Sequence, residues 1–253
     1  MGFGVSDPSN SLGSGRFDQT QWSLVIAAGA AAGSGAAAAL AQLCQTYWYP
    51  LYAFVRRQGA THHDAQDLTQ AFFGKLLEKN YLGDASRSRG RFRTFLLASL
   101  KHFLANEWDK RAAKKRGGRV VFVPLDADAA DRFEHEAISL SSSECSAEEL
   151  YDQRWARTVL KRALTALRAS YAANHQAPVF DALKPCLTLG KGAAPYAEVA
   201  LALGIDENAV KVAAHRLRHR YREAIRTEIA NTVSQEDDVE EEFHYLREVL
   251  TRS

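Results

Sequence analysis

The chain is 253 residues long, with 32 Lys and Arg against 30 Asp and Glu and a hydrophobic share of 46%, a length that fits two small domains better than one large one. The net charge of +2 hides segregation: residues 87 to 119 carry eleven Lys or Arg against Glu107 and Asp109, residues 126 to 149 carry eight acids against Arg132, and residues 236 to 248 are acidic again. The basic block predicts a polyanionic partner. Cys44, Cys145 and Cys186 are odd in number and in no metal-ligand spacing, which predicts reduced thiols in a cytoplasmic protein, with Cys44 and Cys186 as small hydrophobes. Residues 19 to 55 contain no charged side chain, but Ser, Gln and Pro50 interrupt them, so neither a signal peptide nor a membrane span is expected. No Gly-rich phosphate loop, nucleophile elbow or metal-ligand cluster stands in the sequence, so no enzyme, cofactor or metal is expected.

In chain order, residues 1 to 16 are Gly, Ser, Asn and Pro with few apolar anchors, and read as a mobile tail. A helix is expected after Thr20 through Trp22, Leu24, Val25 and Ile26, ending between Gly29 and Gly35. Leu40, Leu43, Cys44, Tyr47, Leu51, Phe54 and Val55 recur at helical spacing and predict a second helix, in which Pro50 either makes a kink or opens a new helix. After a Gln58-Gly59-Ala60 turn, a helix from about Asp64 to Lys79 turns Ala65, Leu68, Phe72 and Leu76 inward and Asp67, Gln70 and Gly74 outward. His62 and His63 read as a helix-initiating pair rather than metal ligands, because sequence neighbours point different ways.

Arg87, Arg89 and Arg91 stand in a Gly, Ser and Arg loop, and Phe92 to about Arg116 forms a long helix. Phe92, Phe95, Leu96, Leu100 and Phe103 are expected to bury one side, with Leu97, Leu104 and Trp108 on an adjoining strip. Lys110, Arg111, Lys114, Lys115 and Arg116 close it before Gly117-Gly118. The helix dipole favours cations there, yet five in seven positions, following the arginines from Arg87 to Arg93, exceed what the dipole asks for. A basic surface interleaved with aromatics suits single-stranded nucleic acid, since phosphates need cations and unstacked bases need flat apolar partners. The competing reading puts those aromatics in the core.

Val120 to Leu125 is short and β-prone, and Asp126 to Glu149 reads as an acidic, Ser-rich linker. A helix returns from about Glu148 to Tyr171, and another covers Val179 to Leu187 after Pro178. The tail from Glu236 ends in Phe243, Leu246, Val249 and Leu250, an amphipathic last helix.

The most informative stretch is Tyr196 to Arg226. Ala197, Val199, Ala200 and Leu203 make a short helix, Gly204 supplies the residue that tolerates positive φ at its end, and Asp206 caps the next helix with Ile205 placed to staple onto Val210. Val210, Ala214, Leu217 and Tyr221 face the core. Asn208, Lys211, Val212, His215, Arg216, His219 and Arg222 face away, and Lys211 to Arg226 holds six Lys or Arg against one acid. A short helix, a glycine turn and a basic second helix predict a helix-turn-helix lying among phosphates. The alternative is a helical hairpin whose basic side is merely solvated.

An aromatic and basic helical domain, an acidic tether and a helix-turn-helix resemble, in that order, a bacterial RNA polymerase sigma factor of the sigma-70 family, extracytoplasmic-function (ECF) subgroup. The resemblance is carried by Asp64-Ala65-Gln66-Asp67-Leu68-Thr69-Gln70-Ala71-Phe72-Phe73, by Phe92-Arg93-Thr94-Phe95-Leu96 with Lys101, Asn106, Lys110 and Arg111, and by Tyr196 to Arg218. Gln66 and Ala71 stand where the family has acids, Phe95 where it has Trp, and His102 and Asn106 where Asn and Asp are common. The resemblance implies an all-α fold of two small helical domains joined by an acidic flexible linker. Residues 1–18 would be a tail, 19–118 the region-two-like domain, 119–148 the linker, 149–231 the region-four-like domain and 232–253 an acidic extension.

It further implies that Asp64, Asp67, Gln70 and Gly74 dock on the β′ clamp of core RNA polymerase, with the β subunit as a second contact. Arg87, Arg89, Arg91, Arg93, Lys101, Asn106, Lys110 and Arg111 would then serve the minus-ten promoter element, and the linker would thread the channel that RNA later occupies. In the helix-turn-helix, Asn208, Lys211 and His215 would reach base edges at the minus-thirty-five element, with Val212 and His219 on the same face, while Arg216, Arg218 and Arg222 grip phosphates. Implied partners are core polymerase, promoter DNA and an anti-sigma regulator, with the chain a monomer in the holoenzyme. The acidic tail is expected to fold back on a basic DNA-binding face until polymerase arrives. Two other readings stay open: a stand-alone helix-turn-helix regulator on operator DNA, and an adaptor that keeps the fold without DNA readout.

Overall fold

The computed structural model describes residues 34–78, 91–114, 145–188, 196–233 and 237–252, and all regular structure among them is helical. The expected tail, first helix, Arg87 to Gly90, the β-prone stretch and most of the acidic linker lie outside the described residues. No described helix is long and apolar enough to cross a membrane.

Helix α1 (Ser34–Arg57) runs unbroken through Pro50, so no new helix opens at that residue. Gly59, at φ 92°, then turns the chain, a conformation that glycine adopts without a Cβ penalty. Thr61 starts α2 (His62–Glu78): its hydroxyl accepts the Asp64 backbone N–H at 3.2 Å and donates to the Asp64 carboxylate at 2.7 Å. The helix begins at His62 rather than Asp64, and the His62 Nδ1 shares a 2.7 Å hydrogen bond with the Tyr52 hydroxyl. Ala65, Leu68, Phe72 and Leu76 are buried as their spacing predicts.

Helix α3 (Phe92–Lys114) buries Phe92, Leu96, Leu100, Phe103 and Leu104. Helix α4 (Ala147–Ala173) opens on a capping box, in which the Ser146 hydroxyl accepts the Glu149 N–H at 3.1 Å and the Glu149 carboxylate accepts the Ser146 N–H at 2.8 Å. The end of α1 is tied to this start, because Arg57 Nε donates to the Cys145 carbonyl at 2.7 Å. Where one helix over Val179 to Leu187 was expected, two short ones stand, α5 (Ala177–Leu183) and α6 (Pro185–Thr188). Pro185 has no N–H to continue the ladder, which is why the helix divides there.

Helices α7 (Tyr196–Leu203) and α8 (Glu207–Ala230) meet at Gly204, whose φ of 65° lies in the left-handed region. Asp206 caps α8, its carboxylate accepting the Ala209 N–H at 3.0 Å. Asp206→Ala is expected to lower the unfolding free energy by about 1 kcal/mol, the usual worth of such a cap, read as a reduced thermal midpoint. Helix α9 (Asp237–Thr251) closes the chain.

Two apolar clusters organise these helices. The first takes Tyr47 to Val55 of α1, the inner faces of α2 and α3, Ala147 to Ala163 on α4, Ile225 and Ile229 at the end of α8, and Val239, Leu246 and Val249 of α9. The second takes Leu167 and Tyr171 of α4, Phe180 and Leu183 of α5, Cys186, Val199 of α7, and Val210, Ala214 and Leu217 of α8. Helices α4 and α8 run through both, and Tyr221 packs against each cluster. The Tyr221 hydroxyl donates to the Leu160 carbonyl at 3.1 Å, fixing the two long helices together between the clusters. Elements from both halves of the sequence therefore share the first core, with α1 packed most extensively against α4.

Candidate nucleic-acid interface

The outer face of α8 follows from the burial of the inner one. With Val210, Ala214 and Leu217 fully enclosed, a helix of 3.6 residues per turn must present Asn208, Lys211, Val212, His215, Arg216, His219 and Arg222 to solvent, and all of them are exposed. Val212 is 52% exposed, an apolar group among donors of the kind that contacts a thymine methyl. Lys211 rests on Glu207 at 2.9 Å, with both side chains half open to water, a pairing weak enough to yield to a phosphate. Beyond Arg222 the strip opens on a crevice of about 610 Å³ between α8 and α9, lined also by Arg226, Glu240, Phe243, His244 and Arg247.

Arg218, expected among the phosphate contacts, is placed differently. Its Nε and Nη2 donate to the Cys186 carbonyl at 3.1 and 2.8 Å, and Nη2 also donates to the Tyr196 hydroxyl at 3.1 Å. It ties α8 to α6 and α7 rather than facing outward, since position 218 follows the enclosed Val210 and Ala214 at intervals of four on one face of the helix. Cys186 itself is enclosed as a small hydrophobe, and burial pushes its thiol pKa up. Cys145 is half-buried, with its thiol likewise raised by burial.

On α2, Asp67 is exposed and Asp64, Gln70 and Gly74 are half-exposed along one side. Gly74 has no neighbour within 4 Å of where a Cβ would stand, so packing does not demand glycine there. The C-terminal part of α2 is joined to α3 by Lys75, whose Nζ lies 2.7 Å from Glu107 and 4.6 Å from the Phe103 ring centre.

The cations expected to serve the minus-ten element are divided along α3. Arg87 and Arg89 lie outside the described residues, as does the side chain of Arg111. Asn106 and Trp108 are exposed, Lys110 pairs with Glu107 at 2.9 Å, and Lys101 pairs with Glu148 at 2.7 Å. At the other end, Arg93 is 8% exposed and is not on an open face. Its Nε donates to Glu242 Oε1 at 2.9 Å and its Nη1 to Asp152 Oδ1 at 2.6 Å. The guanidinium sits 4.9 Å from the Trp155 ring centre and 4.3 Å from that of Tyr245. Tyr245 donates to Asp152 at 2.6 Å, and Tyr151 donates to the Arg93 carbonyl at 3.0 Å. Arg91, half-exposed, holds Glu241 at 2.6 Å and Glu242 at 3.0 Å. Burial works to lower the Arg93 pKa, but the hydrogen bond and charge of Glu242, with the charge of Asp152, more than reverse it, so Arg93 stays charged.

Glu242, Asp152 and Tyr245 were not among the residues singled out from the sequence. A signal was there: Glu242 stands in the stripe of Val239, Leu246 and Val249, and Arg93 stands beside Phe92 at the head of an apolar stripe. A charge inside a buried face needs an opposite charge against it, so each was legible as paired, though not with which residue.

Three carboxylates, two half-buried and one exposed, are also held below their ordinary range. The hydrogen bonds of Lys75 and then Lys110 lower Glu107, that of Lys101 lowers Glu148, and that of Arg226 lowers Glu240. A carboxylate lowered in the folded state contributes stability above its unfolded value, which is lost as pH falls through the folded one. The thermal midpoint is therefore expected to hold steady down to the ordinary glutamate value of 4.5 and to fall below it, as a pH series of melts would record.

Comparison with protein-family models, with curated proteins and with solved structures finds no match.

Proposed function

We propose that the chain is an ECF-type sigma factor, a promoter-specificity subunit that binds core RNA polymerase and directs initiation without catalysis of its own. The observation that carries the reading is the exposed strip on α8, from Asn208 to Arg222, standing behind a capped glycine turn with its opposite face enclosed. Cations on such a strip neutralise phosphates, while Asn208, Lys211 and Val212 near the helix start offer donors and an apolar group to base edges. The exposed Asn106 and Trp108 of α3 supply a polar group and a flat ring of the sort an unstacked strand takes up. Opening a duplex costs a few kcal/mol per unstacked step, and contacts at two promoter elements, assembled on polymerase, offset it. Asp64, Asp67, Gln70 and Gly74 form the polymerase-facing side of α2.

Two assays test this reading. The full chain mixed with core RNA polymerase is expected to co-elute with it and to direct run-off transcription from a subset of a genomic promoter library. Tight, sequence-specific binding of duplex DNA by the chain alone, with no retention on polymerase, would instead identify a stand-alone regulator.

A further inference from the structure

Helix α9 carries Glu240, Glu241 and Glu242 in succession, so their side chains leave the axis about 100° apart. Each nevertheless meets an arginine, and the arginines come from two other places in the fold. Arg226 of α8 grips Glu240 through Nε at 2.6 Å and Nη2 at 3.3 Å. Arg91, one residue before α3, takes Glu241 and Glu242, and Arg93, within α3, takes Glu242. The N-terminus of α3 is drawn in with them, the Phe92 N–H donating to the Thr232 carbonyl at 3.1 Å just before α9. A carboxylate pair offers a guanidinium the same fork of oxygens that a phosphate does.

We infer that α9 is a releasable internal competitor for nucleic acid: its carboxylates occupy Arg91 and Arg93 in the free chain, and a polyanion that takes those arginines displaces the helix. This rests on the reading of α3 as a nucleic-acid-binding element. Release is physically feasible for three reasons. Glu240 and Glu241 are largely exposed, at 65% and 71%, so their pairs are screened and weak. The apolar anchor is confined to one face, with Val239, Leu246 and Val249 enclosed and Phe243 and Tyr245 partly buried beside them, while Leu250 stays 36% exposed. Departure of α9 also strands no charge, because Glu242 leaves for water and Arg93 keeps Asp152 and the Trp155 face on α4. A polyanion that takes Arg91 and Arg93 removes the partners of these carboxylates and so shifts the population toward the released helix.

The test uses the full chain without polymerase and a short labelled single-stranded DNA. Glu240→Gln/Glu241→Gln leaves the buried Glu242 and the apolar anchor in place, so the variant keeps its fold. It is expected to bind the DNA about tenfold more tightly than the parent, while Asp181→Asn/Glu198→Gln, which removes equal charge from exposed positions on α5 and α7, changes affinity by about twofold or less. Hydrogen exchange over residues 237–252 is expected to quicken when the parent is saturated with DNA. Equal affinity of the parent and the Glu240→Gln/Glu241→Gln variant, an equal gain in the control, absence of DNA binding by all, or unchanged exchange in α9 would each overturn the inference. Run-off transcription on the same samples separates the two proposals. If it is absent throughout while the DNA response persists, the sigma reading fails and the internal competitor stands.

Discussion

Trp155→Ala is expected to lower the unfolding free energy by about 3–5 kcal/mol, the cost of truncating a large enclosed aromatic side chain. Trp155 has no exposed surface and belongs to the core shared by α1 to α4, the end of α8 and α9. Its ring supports the Arg93 guanidinium at 4.9 Å on one side and stands 6.2 Å from the Tyr245 ring centre. Truncation therefore removes apolar burial and opens a void beneath a buried cation, where the neighbours on two helices cannot close in without moving that cation. Trp155→Phe fills part of the space and is expected to recover most of the loss. Urea denaturation followed by far-UV circular dichroism measures both. The contrast is Trp108→Ala: at 43% exposed, its change in stability is expected to stay within about 0.5 kcal/mol. A loss at Trp108 as large as that at Trp155 would contradict the outward placement on which its proposed role depends.

Arg216→Glu/Arg222→Glu is expected to weaken duplex DNA binding by the chain by about a hundredfold or more at moderate salt. Both side chains are exposed on the outer strip of α8, and each reversal replaces an attraction to phosphate with a repulsion. The loss of two phosphate contacts also reduces the slope of log affinity against log salt by about two, since each contact contributes about 0.9. Arg218→Ala separates the two roles an arginine has on this helix. Its hydrogen bonds to the Cys186 carbonyl and the Tyr196 hydroxyl predict a stability loss of about 1–2 kcal/mol with the salt slope unchanged. Fluorescence anisotropy titrations at several salt concentrations, beside thermal melts, read both quantities. An unchanged slope in the double reversal, or a reduced slope with unchanged stability in Arg218→Ala, would reverse these assignments.

Local rules account for the turn between α7 and α8 and for the inner face of α8. Gly204 is where the chain needs positive φ, Asp206 is where α8 needs a cap, and the period of Val210, Ala214 and Leu217 decides which residues remain outside. The same rules place Ala65, Leu68, Phe72 and Leu76 within α2, because a helical stripe is a property of neighbours in the chain. They fall short where a residue has two locally acceptable fates. Pro50 allowed either a continuous helix or a new one, and burial of Leu51 to Val55 against α4 accompanies the continuous form. Phe95 and Trp108 belong to one amphipathic helix, yet Phe95 packs against the core and Trp108 does not.

Helix positions, their inner faces, the cap and turn between α7 and α8 and the segregation of charge are therefore written in the sequence by itself, since each depends on residues within a turn or two of one another. The fate of individual charges was decided only by tertiary structure. Arg93 and Glu242 are 149 positions apart, and no local period relates them. Whether a cation faces water, a phosphate or a carboxylate depends on what the folded chain brings against it, and ionic attraction between such distant residues acts only after packing has set them side by side.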